Sequence, residues 1–249
     1  MSISFFEVLK NEKPLSVAGA INPYSALLAK KTGIKALYIS GAGVANASFG
    51  LPDLALTSLD NVLEDLRRIR GISNLPILVD CDTGWGSALN ISKTTKEMIS
   101  AGASGIHIED QVSEKRCGHR PNKEIVSTEE MCDRMKAARD AITDDEFMLM
   151  ARTDAFANEG INGTIERAQR YGYKVLPLKL YKYYSKYFKD YNLDSLFTTY
   201  DKASHDVIMA YAGFKQGTNI LDSSDVEEYS NDEYSSDEYS SDESEDESE

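Results

Sequence analysis

Five short apolar runs, each followed by a stretch of helical periodicity, constrain this chain more than any other feature. They are residues 15–21, 36–40, 76–82, 105–109 and 147–154, rich in Val, Ile, Leu and Ala. Apolar runs of that length read as strands buried on both faces. Helical segments lie around and between them, over residues 5–12, 26–31, 58–70, 90–101, 127–141 and 162–170. Ser58 or Asp60 caps the third, and Val62, Leu63, Leu66 and Ile69 line one of its faces. Ser127-Thr128-Glu129-Glu130 opens the fifth with capping-box character. Strands buried on both faces and alternating with amphipathic helices imply a parallel sheet. Polar residues gather at the C-terminal ends of the strands, where a (β/α)8 barrel builds its active site. An open doubly wound sheet is the competitor, but no Gly-x-Gly-x-x-Gly turn follows the first strand. The expected fold class is α/β, of the (β/α)8 TIM-barrel type.

The text changes near Tyr171. Residues 1–170 hold two tyrosines, Tyr24 and Tyr38, out of 14 in the chain. Lys174 to Leu178 reads as a sixth strand and residues 179–191 as a Tyr/Lys-rich helix; no strand–helix pair is recognisable beyond. The barrel is therefore expected to be incomplete, with five or six strands and an apolar edge open to self-association. Three segments follow: a barrel portion over residues 1–170, a divergent segment over 171–221, and an acidic Ser/Asp/Glu tail over 222–249. Of the 41 acidic residues, 14 lie in the tail, leaving 27 against all 27 bases in residues 1–221. A like-charged, Ser-rich run cannot bury enough apolar area to offset its ordering entropy, so disorder is expected there.

The formal net charge of −14 is thus a property of the tail. No basic surface points to nucleic acid, and no apolar run approaches a membrane span. Glu7 and Lys10 interrupt the only window for a signal peptide. Three cysteines (Cys81, Cys117, Cys132) fit a reducing compartment rather than a disulfide framework. The expected location is the cytoplasm, with the mitochondrial matrix the alternative in a eukaryote.

Chemistry concentrates in three places. Asp80 and Asp82, two apart at a strand end, share a face. With Gly84 and Gly86 leaving an open approach, they suit a magnesium ion that keeps waters and takes substrate oxygens; two loop-capping aspartates are the alternative. Lys115-Arg116-Cys117-Gly118-His119 sets a thiol among cations, which favours the reactive thiolate; a basic surface loop with a chance cysteine is the alternative. Arg152 ends the fifth strand, either as a clamp for a substrate carboxylate or in a structural salt bridge. Glu109 could join a metal shell, and Ser40 with the Gly41–Gly43 amides could bind a carboxylate. Asp53 follows a Gly-Leu-Pro turn and reads equally as turn former or site residue. Asp110 and His107 read as structural, Cys81 and Cys132 as core.

Taken together, Ser40-Gly41, Gly50-Leu51-Pro52-Asp53, Asp80-x-Asp82, His107-Ile108-Glu109-Asp110-Gln111, Lys115 to Lys123 and Ala151-Arg152-Thr153-Asp154 resemble the methylisocitrate lyases. These belong to the isocitrate lyase and phosphoenolpyruvate mutase superfamily. The resemblance covers about residues 4–170. It implies a (β/α)8 barrel, usually a homo-oligomer with exchanged C-terminal helices. It also implies a small tricarboxylate substrate, cleaved to pyruvate and succinate with Mg2+. Carried over, Asp80, Asp82 and Glu109 hold the metal, and Ser40, Gly41, Asp53 and Arg152 hold substrate. Cys117 is the general acid, and Lys115, Arg116 and His119 tune the thiol and bind carboxylate. The family's sixth strand ends in Phe-Pro-Glu, whereas Val175-Leu176-Pro177-Leu178 has no glutamate. Two other readings therefore stand beside the lyase: a non-catalytic remnant with an acidic interaction tail, and an isocitrate lyase-type enzyme acting on a related substrate.

Overall fold

The computed structural model describes residues 4–12, 15–175 and 208–210. Its elements alternate as the apolar runs require. They are α1 (Phe5–Asn11), β1 (Val17–Gly19), α2 (Pro23–Lys31), β2 (Ala36–Ile39), α3 (Gly41–Gly43), α4 (Leu59–Arg70), β3 (Ile77–Asp80), α5 (Ala88–Ser100), β4 (Gly105–Glu109), α6 (Thr128–Asp140), β5 (Met148–Thr153), α7 (Phe156–Val175) and β6 (Ile208–Ala210). Strands β1 to β5 pair in chain order and in parallel. This is the strand sequence of a (β/α)8 barrel carried through its first five units.

The period-2 alternation of the strands separates two apolar regions. Leu37, Ile39, Ile77, Val79, Ile106, Ile108 and Ala151 pack outward beneath Val62, Leu63, Leu66 and Ile69 of α4 and Met131 and Met135 of α6. The other face carries Ala36, Leu78, Met148 and Met150, which pack with Phe5, Phe6 and Leu9 of α1. Helix α1 thus covers the apolar N-terminal half of the inner face and leaves the polar C-terminal half to the site. Capping matches the sequence: Ser58 accepts from Asn61 N–H and Ser127 from Glu130 N–H, each satisfying an otherwise unpaired helix-end donor.

Two expectations need correction. Lys174 and Val175 do not begin a sixth strand, because α7 runs through them. That helix extends past the expected 162–170 and bends at Gly160, whose φ of 67° only glycine tolerates readily. Its Tyr171, where the composition changes, is fully buried in the outer core. The edge of β5 is not open either: β6 pairs with it antiparallel, Thr153 opposite Ile208. The remaining residues of the Tyr/Lys-rich segment and the acidic tail lie outside the described residues. Strands β4 and β5 approach closely at Gly105, where a Cβ would lie 2.7 Å from Met148 Cβ and 2.8 Å from its carbonyl oxygen. Backbone atoms cannot yield there, so Gly105→Ala should push β4 off β5. We expect a loss of roughly 1–3 kcal/mol in urea unfolding; an unchanged midpoint would show that the two strands are not so close.

Candidate active site

Each strand end delivers one or more polar side chains to the inner face. Tyr38 comes from β2, Asp80 from β3, His107 and Glu109 from β4, and Arg152 from β5. The register sets Asp80 beside His107 and Glu109 beside Arg152. Tyr38 Oη lies 2.9 Å from His107 Nε2 and donates to Asp80 Oδ2 at 3.3 Å. Arg152 Nη1 is 3.0 Å from Glu109 Oε2, and its other terminal nitrogen is 3.3 Å from Asp154. Arg152 is therefore held in buried ion pairs with its guanidinium inside the site.

Asp80 and Asp82 converge, but not through the strand pleat. Asp82 lies past the end of β3 at a φ of 48°. Its N–H turns back to donate to Asp80 Oδ1 at 3.1 Å, while its carbonyl accepts from Glu109 N–H at 2.8 Å. A short backbone turn thus sets the Asp82 main chain against both the Asp80 carboxylate and the Glu109 N–H. Gly41 makes room for the two aspartates: a Cβ there would sit 2.8 Å from Asp82 Oδ1 and 3.2 Å from Asp80 Oδ2. The Gly41 N–H donates to Asp80 Oδ2 at 3.1 Å, and Ser40 accepts from Gly43 N–H at 3.3 Å. The Gly41 and Gly43 amides, two of the three offered by the sequence for a carboxylate, are thus occupied within the protein.

The cysteine loop folds toward these residues. Cys117 N–H donates to the Asp53 carbonyl at 3.1 Å, and Lys115 Nζ binds the Asp53 carboxylate and approaches Asp82 Oδ1 to 2.8 Å. Asp53 therefore joins the loop after β2 to the loop after β4. Cys117 is half-buried, with His119 Nδ1 at 3.6 Å from its sulfur. Lys115, expected to tune the thiol, turns its long side chain inward to the buried Asp53 and Asp82 carboxylates. Arg116 and His119 stay exposed. Trp85 does not reach the carboxylates through its indole, whose N–H donates to the Thr57 carbonyl at 3.0 Å.

Sequence reasoning missed Tyr38, Gln111, Lys123 and Asp154, and assigned His107 to packing alone. Counting back two residues from Ser40 and Glu109 along their strands reaches Tyr38 and His107, so the period-2 signal was present. Lys123 Nζ donates to the Gly118 carbonyl at 2.5 Å and lies 3.9 Å from Asp154, contacts between distant segments that no local pattern marks.

The electrostatics ask for more positive charge than the protein supplies. Asp80, Asp82, Glu109 and Asp154 share the site with Lys115 and Arg152. Burial raises Glu109 well above the usual carboxylate range despite Arg152. Burial also acts against the Asp80 anion, but His107, Arg152 and Lys115 outweigh it and hold that carboxyl low. Burial brings His107 down to about 4, so its ring is neutral at pH 7. Asp82 Oδ1 and Glu109 Oε2 are buried and lack an aligned hydrogen-bond donor, each being held instead by an ion pair, with Lys115 at 2.8 Å and Arg152 at 3.0 Å. Hard anionic oxygens of this kind suit a small divalent cation, and among the described residues no three His, Cys, Asp or Glu side chains are already grouped as a metal site.

Burial and the Asp80 charge push Asp82 up to about 7, against the pull of Lys115. Its folded value lies above its unfolded one. The group therefore stabilises the cation-free fold at low pH, and that contribution is lost as pH rises through about 7. Without divalent ions the Asp82 contribution should be lost between about pH 4 and about pH 7, so over that range the melting temperature of the parent should fall relative to that of Asp82→Asn. Added magnesium should stabilise more at the upper end of that range, because cation and proton compete. Equal slopes in parent and variant would remove Asp82 from this role.

Known proteins share much of this sequence and fold. The sequence profile of the phosphoenolpyruvate phosphomutase family matches residues 5–173. The 2-methylisocitrate lyase of Shewanella oneidensis is 59% identical over 169 residues, which are 68% of this chain and 58% of that one. Among solved structures, oxaloacetate acetylhydrolase with the inhibitor 3,3-difluorooxalacetate superposes with a TM-score of 0.64 at 34% identity, covering 67% of this chain and 58% of that one. Phosphonopyruvate hydrolase in complex with oxalate and Mg++ superposes with a TM-score of 0.56 at 32% identity, covering 64% of this chain and 54% of that one. This chain thus spans a little over half the length of the relatives it matches. With its first five barrel units matched in sequence and in fold, the chain belongs to the phosphoenolpyruvate phosphomutase family.

Proposed function

We propose that the chain acts as a carbon–carbon lyase of the methylisocitrate lyase type, splitting 2-methylisocitrate into pyruvate and succinate. The observation that carries this reading is the fold-over of the cysteine loop. Through Asp53 and Lys115, the loop that carries a half-buried thiol is tied to the buried Asp82 carboxylate. The high identity to a 2-methylisocitrate lyase supports the choice of substrate.

Asp80, Asp82 and Glu109 would hold magnesium, which when bound supplies positive charge to oxygens of the pyruvate half. Ser40, Gly41 and Asp53 border that half, and Arg152 presents its guanidinium to a carboxylate. The substrate hydroxyl gives up its proton to solvent water as the carbon–carbon bond breaks, and the bonding pair moves onto the succinate half. The Cys117 thiol delivers a proton to that carbon, and the thiolate left behind regains its proton from solvent. His119 beside the thiol and Arg116 at the loop surface serve the remaining carboxylates. Lys115 keeps Asp53 and Asp82 together under the loop.

A pyruvate-coupled assay on the purified chain tests the proposal. Groups displaced by a fraction of an ångström lose much of their effect. Because the chain spans only part of its relatives, we expect turnover at least about a hundredfold below a full-length relative. Release should be faster from 2-methylisocitrate than from isocitrate and should disappear in Cys117→Ser. Faster release from isocitrate would change the substrate, and equal release in Cys117→Ser would remove the thiol as acid. No magnesium-dependent release from either would favour a non-catalytic interaction protein.

A further inference from the structure

Gln111 lies two residues beyond Glu109 and is fully buried. Its side chain makes four contacts, to two carboxylates and to both main-chain groups of Arg116. The amide nitrogen lies 2.9 Å from Glu109 Oε1, 2.8 Å from Asp154 Oδ2 and 2.9 Å from the Arg116 carbonyl. Its oxygen accepts from Arg116 N–H at 3.0 Å. Donor and acceptor are thereby distinguished, since only the oxygen can receive the Arg116 proton. The amide nitrogen has two protons for three acceptors. The Glu109 carboxylate, the Asp154 carboxylate and the loop carbonyl therefore gather around one group.

The main chain at Gln111 is secured independently. Its carbonyl accepts from Arg134 at 2.8 Å, and it bridges to Ile125. Val112 N–H donates to the Glu124 carbonyl at 3.0 Å, closing the base of the loop. The side-chain amide is thus not needed to form the strand end. What it adds is a brace inside the loop, one residue before Cys117.

We propose that Gln111 is a positioning residue that sets the height and orientation of the Cys117 loop relative to the Glu109 and Asp154 carboxylates. Arg116, immediately before the thiol, is gripped at both its N–H and its carbonyl, as a paired strand residue would be. The brace thereby fixes the distance between the proton donor and the carboxylate floor. The inference rests on the lyase reading for its purpose, but its geometry stands without turnover.

The test is hydrogen exchange by mass spectrometry on the full chain, together with the rate of iodoacetamide labelling at each cysteine. Gln111→Met keeps shape and removes all four contacts. Gln111→Asn keeps the amide but falls one methylene short, and serves if the first variant folds poorly. In either, amides 113–118 should exchange at least about tenfold faster, in keeping with the loss of more than one hydrogen bond. Cys117 should label at least about threefold faster, with buried Cys81 and Cys132 unchanged. Arg70→Met is the control for general destabilisation. That side chain holds the Ser73, Leu75 and Gly102 carbonyls at the opposite end of the sheet. Its loss should lower the melting temperature and leave the loop unmoved. Unchanged loop exchange in both Gln111 variants, or an equal rise in Arg70→Met, would overturn the proposal. Should the loop respond while the parent chain releases no pyruvate, the brace stands and the lyase reading fails.

Discussion

Burying several carboxylates against one another is the constraint that the rest of this structure answers. An isolated buried carboxylate is too costly to keep ionised, and a cluster is worse. The chain offsets the cost with two cations that come from different elements. Arg152 enters from the fifth strand and pairs with Glu109 and Asp154; Lys115 enters from the loop after the fourth and pairs with Asp53 and Asp82. Removing one partner of such a pair typically costs about 3–5 kcal/mol, because the other charge is left buried alone. The cysteine loop is thereby held to the sheet by the ion pairs that offset these buried charges.

A second buried network stands behind the site and keeps the strand ends in register. Asp110 faces away from the site. It accepts from the Thr153 hydroxyl at 2.6 Å, the Asp154 N–H at 2.9 Å and the Tyr171 hydroxyl at 2.8 Å. Arg167 of α7 closes the network, donating to the Tyr171 oxygen at 3.0 Å and lying 3.5 Å from Asp110. Glu109 and Asp110 are adjacent yet belong to opposite faces, so one strand end serves both the site and its support. This explains why α7 must extend as far as Tyr171: the helix supplies both Arg167 and the phenol that complete the shell around a buried charge.

Much of this was legible in the sequence, and particular residues show why. The five parallel strands follow from apolar runs too uniform to expose a face, separated by helices whose apolar stripe is one-sided. Glu109 and Arg152 were legible as site residues because they end such runs, and the geometry of a parallel barrel sends strand ends to one rim. Ser58 and Ser127 were legible as caps because capping depends on neighbours three residues away. Each of these is a local property, readable wherever the chain carries the pattern. The tertiary structure alone decided the partners. Lys115 reads as a cation for the thiol two residues on, yet it turns to Asp53, which lies 62 residues away in the chain. Asp82 reaches Asp80 through a left-handed turn instead of a shared pleat. Gln111 looks like any polar residue after a strand, and only the fold brings Asp154 and the Arg116 backbone to its amide. The reason is physical: a long polar side chain goes to whichever opposite charge or unpaired donor is buried nearest, and burial is a property of the packed chain.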